Sequence, residues 1–567
     1  MKTNQGRLLA KAIGLAGFIG VSWMAPAQQI HRPIKSCGVA FNGFQASLER
    51  AMKDSWGSGT GQKAMIAFNK LGYGPLASSR STPQDYQAME ATFGERFAQR
   101  ALADLVERHL SYMNNHGHVE KVRQLVPYYR MDYRRISDEF FRIQKIKNPE
   151  ARSNARRPFV RALRQAASLG TLAEASGGVI NVRAVMKEFW FNHFNVDATK
   201  SFMHVMHYEH QLSRRVCGTF LDLLVTSASH PAMLQYLDNF RSRRGKINEN
   251  YGRELLELYT LGIGPKTSAE PNSPYNQKTV TDASKLLTGW TFDRVEGKAP
   301  RFVFRSTNHD PSRPKIMGKI HPKGFAGGMS LLKDLANRYL TKKNICSKLS
   351  IELLGDNVPK SVIDGCISKW GKDGNLVAIY KYLLTRPRFW SGSNFHNSVK
   401  TPLELVVTGS RAMGYGVATL DGPKHLKGML DSVIKLGMVP RRVAPPTGYP
   451  SVGIAWVNPN YAAEAVNYGW KYADDRLPLT HNNRKYHGDA KEIQLLRMSD
   501  NQGANPTVDA YLLNSLKTHP LGYWADAGRP LLRDALYRSD YDKKSRLNLP
   551  ARTINSMILS SSNFIRK

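Results

Sequence analysis

Between Asn248 and Gly262 the chain reads NENYGRELLELYTLG, and its carboxylates are the first residues whose spacing suggests chemistry. At 100° per residue, Asn250, Glu254, Glu257 and Leu261 share one side of a helix, beside an apolar stripe of Tyr251, Leu255 and Leu258. Two carboxylates three residues apart can share a proton, hold a metal, or divide into acid and base once their surroundings push their pKa values apart. The same letters carry a second reading. Glu249, Arg253 and Glu257 are spaced i, i+4, i+8, an ion ladder worth on the order of a few tenths of a kcal/mol per pair on an exposed helix.

Upstream, KEFWFNHFNV from Lys187 sets Glu188 and Asn192 one turn apart with His193 beside them, among Phe189, Trp190, Phe191 and Phe194. Aromatic surroundings raise a carboxyl pKa by desolvation, which suits a general acid, although a Glu and a His on such a helix also make an ordinary buried hydrogen-bonded pair. HVMHYEH offers His204, His207 and His210. The outer two lie about 120° apart around an ideal helix, so the three do not easily meet one ion. No HExxH, GxSxG, phosphate-loop or dinucleotide signature occurs, which leaves carboxylate chemistry or none, with no metal ligands assigned and any cofactor unknown.

The elements that must position these residues are mostly helical. Apolar periodicity predicts helices at Asp85–Leu110, Val182–Phe191, Arg214–Ser227, Pro231–Asn239, Asn250–Leu261, Val280–Thr288, Leu331–Leu340, Asn344–Leu354, Leu376–Leu384, Pro402–Ala412 and Tyr461–Tyr472. RFVFRS, from Arg301, alternates as a short strand does. The expected fold class is therefore mainly α, a single large helical domain with short β-hairpin elements. Residues 1–27 read as a signal peptide, 28–60 as an N-terminal arm and 61–567 as the helical domain.

The signal peptide follows from Lys2, Arg7 and Lys11, a glycine-broken apolar run, and Ala25-Pro26-Ala27; the run is too short for a membrane anchor, which needs about 20 residues. A periplasmic or secreted location follows, and there four cysteines can pair in three ways. Cys346 and Cys366, closest in sequence, are expected to bridge, leaving Cys37 to staple the arm to Cys217; buried free thiols are the alternative.

Net charge is +36, from 81 Lys and Arg against 45 Asp and Glu. Such a field either serves solubility or recruits polyanions, and outside the cytoplasm an anionic envelope polymer or polysaccharide is expected rather than nucleic acid. The strongest local run, KIKNPEARSNARRPFVRALRQ from Lys145, reads as a loop followed by a helix. It is either a solvated face or a docking stripe for an anionic polymer. PRRVAPPTGYPSVGIAW, from Pro440, holds Tyr449 and Trp456 on a stiff, proline-rich backbone, suited to lining a sugar site or to covering a core.

Several blocks, EFWFNHFNV, LLVTSASHPAMLQYLDN, NENYGRELLELYTLG and LTGWT, in that order, resemble the signature blocks of the bacterial domain-of-unknown-function family 1800. FNKLGYGP, NHDPSRPKIMG, TPLELVV and LGMVPRRVAPPTGYPSVGIAWVNP extend the resemblance over nearly the whole mature chain. Two departures stand out: many members carry His where this chain has Tyr259, and KLSIELLGDNVP, from Lys348, fits its region poorly. The resemblance implies a secreted, mostly helical protein, often encoded beside a secreted sulfatase-like protein, and gives no activity. Its blocks contain Glu188, His193, Asn250, Arg253, Glu254 and Glu257, which favours a polar centre over a solvated ladder.

The expectation is a carboxylate-dependent hydrolase or lyase acting on an anionic envelope polysaccharide. Glu254 or Glu257 would be the acid, the other or Glu188 the base; His193 and Asn250 would orient substrate or water, and Arg253, Tyr449 and Trp456 would hold substrate. The alternatives are a non-enzymatic envelope-binding or assembly factor working with the sulfatase-like partner, and a carboxylate-bridged metal protein.

Overall fold

The computed structural model describes residues 36–56, 59–76, 81–112, 119–129, 131–263, 275–395, 397–417, 423–473 and 562–567. The expected signal peptide lies outside them. The fold is mainly α, and among the described residues the only sheets are two antiparallel pairs, Trp290–Asp293 with Arg301–Phe304 and Lys315–Ile316 with Lys319–Ile320. The strand expected at Arg301 thus exists, paired so that Trp290 faces Phe304. Among the described residues no helix is long and apolar enough to cross a membrane.

One apolar cluster runs from Cys37 to Phe564. At its centre lies helix Val182–His193, started by Asn181, whose side chain accepts from the Ala184 amide, and free of internal Gly and Pro. Its Trp190 is fully buried between Phe194 and Phe220 and donates to the Tyr380 hydroxyl at 2.8 Å. Truncating a buried aromatic of this kind to Ala costs about 3–5 kcal/mol. Trp190→Ala is therefore expected to be strongly destabilising.

Both expected disulfides are present, Cys37–Cys217 and Cys346–Cys366. Closing separations of 180 and 20 residues contributes about 5 and about 3 kcal/mol on the chain-entropy account.

Several expectations are corrected: the helix expected at Arg214–Ser227 starts at Phe220, after its Thr219 cap, and that expected at Leu331–Leu340 ends at Asn337, a new helix starting at Tyr339. The helix expected through Asp85–Leu110 is two helices, Pro83–Phe93 and Glu95–Ser111, because Gly94 between them takes φ 87°. The basic run is not loop then helix: from Pro149 it is one helix, Pro149–Ala175, capped by Asn148 with Pro149 in the first turn, and it tolerates Pro158 inside it. The helix at Asn250 is α only to Glu254; Leu255–Thr260 is a π turn, in which the Leu261 amide donates to the Leu256 carbonyl and the Thr260 hydroxyl to the Leu255 carbonyl.

Candidate active site

A cavity of about 90 Å³ opens where four parts of the chain meet: helix Val182–His193, helix Tyr339–Leu354, the 398–404 segment, and the loop from Met438 to Gly453. Lys567, from the strand-like tail that pairs with Ser398 and Lys400, completes it. Glu188, Asn192 and His193 face it from the first helix, Lys348 and Glu352 from the second, Glu404 from the third part, and Tyr73 from the turn after helix Thr60–Lys70.

Local sequence explains each placement. Lys348 and Glu352 are one helical turn apart, so both reach the same face. Glu404 is the third residue of a capping box: its Oε2 accepts from the Thr401 amide at 2.8 Å, fixing the carboxylate so that Oε1 meets Lys567 Nζ at 2.5 Å. Lys567 also meets Glu352 at 3.1 Å. Asn192 pairs with the Tyr449 backbone as another strand would, donating to its carbonyl at 2.9 Å and accepting from its amide at 2.8 Å. Gly448 makes this approach possible, since it takes φ 69° and a Cβ there would sit 2.5 Å from the Asn192 carbonyl oxygen.

From the cavity inward runs an alternating chain of charges, Arg183–Glu174–Lys187–Glu209–Arg441–Glu188, buried at its middle and partly exposed at its two ends. Arg441 bridges Glu209, at 3.0 Å, and Glu188, at 2.7 Å, and its guanidinium lies 4.0 Å from the Phe191 ring centroid. It does so from a left-handed backbone, φ 64°, a conformation a non-glycine residue holds only when its surroundings force it. Burial works against the Arg441 charge, but Glu188 and Glu209 outweigh it and hold the pKa above the usual guanidinium value. Burial likewise works against the Glu209 carboxylate, and Arg441 and Lys187 overcome it and pull its pKa down.

His193 and Lys348 are the contrast. The His193 Nε2–H donates to the Tyr259 carbonyl at 3.2 Å, a carbonyl presented by the π turn, so Nδ1 carries the lone pair and accepts from Lys348 Nζ at 3.3 Å. Burial, then the Lys348 charge, keep His193 neutral well below its ordinary pKa. Among the described residues no carboxylate lies within ion-pair distance of Lys348, and burial pushes its pKa down to about 8. Burial, then Glu188, hold the Tyr73 phenol protonated.

Of the residues expected to act, Glu188, His193 and Tyr449 reach the cavity. Trp456 is buried against Tyr449, ring centroids 5.4 Å apart, and donates to the Pro450 carbonyl. Glu254, Glu257, Asn250 and Arg253 are not among the cavity-lining residues. Asn250 is exposed, and Arg253 lies 3.9 Å from Glu249 and 3.6 Å from Glu257, the ladder geometry. Glu254 is half-buried, and burial, then Glu257, push its pKa up. The three histidines of HVMHYEH do not converge: His204 binds Tyr133 and Gln235, and His207 binds His230 and Gln211. Among the described residues no three His, Cys, Asp or Glu are grouped to hold a metal.

Sequence reasoning missed Lys348, Glu352, Glu404, Lys567 and Tyr73. Lys348 and Glu352 were visible as a Lys-x-x-x-Glu pair in the second half of helix Tyr339–Leu354, and Glu404 as the end of a capping box. Tyr73 and Lys567 carried no local signal.

No curated protein and no solved structure matches the chain. The family model described as "Protein of unknown function (DUF1800)" matches residues 66–566, and the chain belongs to that family.

Proposed function

We propose that this protein is an exported lyase that cleaves an anionic envelope polysaccharide by β-elimination, with Lys348 as the base. The observation that carries this reading is a lysine with its pKa pushed down to about 8, facing a neutral histidine nitrogen at the wall of a cavity. Such an amine is neutral in a useful fraction of molecules at neutral pH, the condition a general base must meet.

Elimination is favoured over hydrolysis by the state of the cavity's carboxylates. A glycoside hydrolase needs a carboxyl group that stays protonated to donate to the leaving oxygen. Here Glu188 is held by Arg441, and Glu352 and Glu404 by Lys567, so all three are ion-paired. In the elimination, Lys348 Nζ takes the proton on the carbon next to the substrate carboxylate, a C=C bond forms, and the adjacent C–O bond breaks. The Tyr73 phenol returns a proton to the departing oxygen. At about 90 Å³ the cavity is smaller than the roughly 150 Å³ that admits a benzene ring. The reacting ring therefore rests at the cavity mouth, with its carboxylate substituent turned inward. Export rests on the two disulfides and on the sequence of residues 1–27.

The test incubates wild type and Lys348→Met with polyuronates and follows the ultraviolet absorbance of the unsaturated product. Wild-type turnover should rise with pH through about 8, and Lys348→Met should lose at least about a hundredfold. Lys348→Met should melt close to wild type, because removing a desolvated charge offsets the hydrogen bond lost at His193 Nδ1. Absence of unsaturated product from wild type rejects the reading in favour of a non-enzymatic envelope-binding factor, and equal activity of the variant rejects Lys348 as the base.

A further inference from the structure

Another concavity, about 800 Å³, lies between helices Pro149–Ala175 and Pro423–Lys435 and the start of the 439–449 loop. Its charged lining is one-sided: Arg156, Arg157, Arg161 and Arg164 from the first helix, Lys427 from the second and Arg442 from the loop. No carboxylate lines it among the described residues. The cations press on one another: burial first, then Arg442, lower the Arg164 pKa, with Arg156 adding to the effect and Asp197 acting the other way. A groove that gathers like charges at its own expense gains most when an anion fills it.

We infer that this groove holds a strand of a carboxylate-bearing polysaccharide. The inference deepens the proposed function, since it assigns that substrate its binding surface. Residues 156 to 164 extend roughly 12 Å along a helix at 1.5 Å per residue, so the cations meet successive units of a polymer rather than one small anion. Arginine predominates over lysine, and its planar fork matches a carboxylate bidentately. Val160, Leu430, Ile434 and Val439 sit among the cations, giving apolar surface for the C–H faces of sugar rings. The shape is concave, which suits a strand better than a flat bilayer. Arg442 adjoins Arg441, the residue that holds Glu188 at the cavity, so one loop serves both places.

The experiment measures binding of the full chain to sized polygalacturonate by titration calorimetry at two salt concentrations, with polyphosphate and neutral dextran as controls. The variants are Arg157→Ser/Arg161→Ser, Arg442→Ser and Lys348→Met. Wild type should bind polygalacturonate more tightly than polyphosphate, in a salt-dependent manner, and dextran not at all. Each arginine removed should weaken binding about tenfold, as expected for loss of a charge-assisted pair, with Tm unchanged. Lys348→Met should bind as wild type does. Unaltered binding by both arginine variants overturns the assignment, as does polyphosphate binding equal to that of polygalacturonate, or no binding at all. Binding without turnover by wild type would leave the groove standing while rejecting the lyase.

Discussion

Two rows of alternating charge occupy this protein and behave differently. Arg183–Glu174–Lys187–Glu209–Arg441–Glu188 is threaded through the interior, with the Lys187, Glu209 and Arg441 side chains at most 2% exposed. Glu249–Arg253–Glu257 has the same alternation, yet its members are 28–39% exposed and 3.6–3.9 Å apart. In the middle of the first row, at Lys187, Glu209 and Arg441, the charges have already lost their water, so each needs its partner. In the second, water does most of the work the partner would do. Alternation alone therefore says little; burial decides what it is worth.

The comparison is broken most directly at Arg441. Arg441→Met leaves Glu188 without its cation and Glu209 with Lys187 alone, and should cost about 3–5 kcal/mol in urea unfolding. A loss below about 1 kcal/mol would place the interior row in the same class as the ladder. Tyr129 comes next, since its hydroxyl donates to Glu209 at 3.2 Å and accepts from Lys187 at 3.3 Å. Tyr129→Phe should cost about 1.5–3 kcal/mol, the usual worth of a hydrogen bond to a charged group.

The rows should also part with pH. A carboxyl whose folded pKa is depressed contributes stability that is present above its unfolded pKa and lost as pH falls through the folded one. Glu209 is such a group, pulled below 4.5, so stability should decline as pH drops from that value. In Glu209→Gln the acid leg of the stability profile should be shallower, at the cost of a lower plateau. An unchanged acid leg would show that other carboxylates control it.

What the sequence revealed follows the range of the interactions involved. Helices Leu376–Leu384 and Pro402–Ala412 were legible to the residue, because their periodicity, caps and stops are all local. The start of helix Pro149–Ala175 was also written locally, as Asn148-Pro149, but Pro158 disguised it as a loop. The π turn left no periodic trace, yet it presents the Tyr259 carbonyl that orients His193. Glu188 and His193 were found because one aromatic helix carries both. Their partners Lys348 and Arg441 were not, since they come from 155 and 253 residues away along the chain, and only packing brings them together. The pairing of Cys37 with Cys217 was accessible across a comparable distance because four cysteines leave few combinations.

The smallest effects belong to the ladder. Arg253→Ala should change stability by less than about 0.5 kcal/mol, as exposed pairs do. Glu254, beside it, sharpens the contrast, because its pKa is pushed up rather than down, by burial first and by Glu257 second. The sign is then opposite to that of Glu209: the folded state takes up this proton more readily than the unfolded chain does. Near neutral pH the charged carboxylate is a mild handicap, relieved as pH falls through the folded pKa toward 4.5. Being half in water, it is screened, so Glu254→Gln should match or slightly exceed wild-type stability at neutral pH, and the two should converge on acidification. Polyuronate turnover should survive the same substitution. If Glu254→Gln instead abolished turnover while Lys348→Met did not, the reacting centre would lie on the ladder helix and not at the cavity.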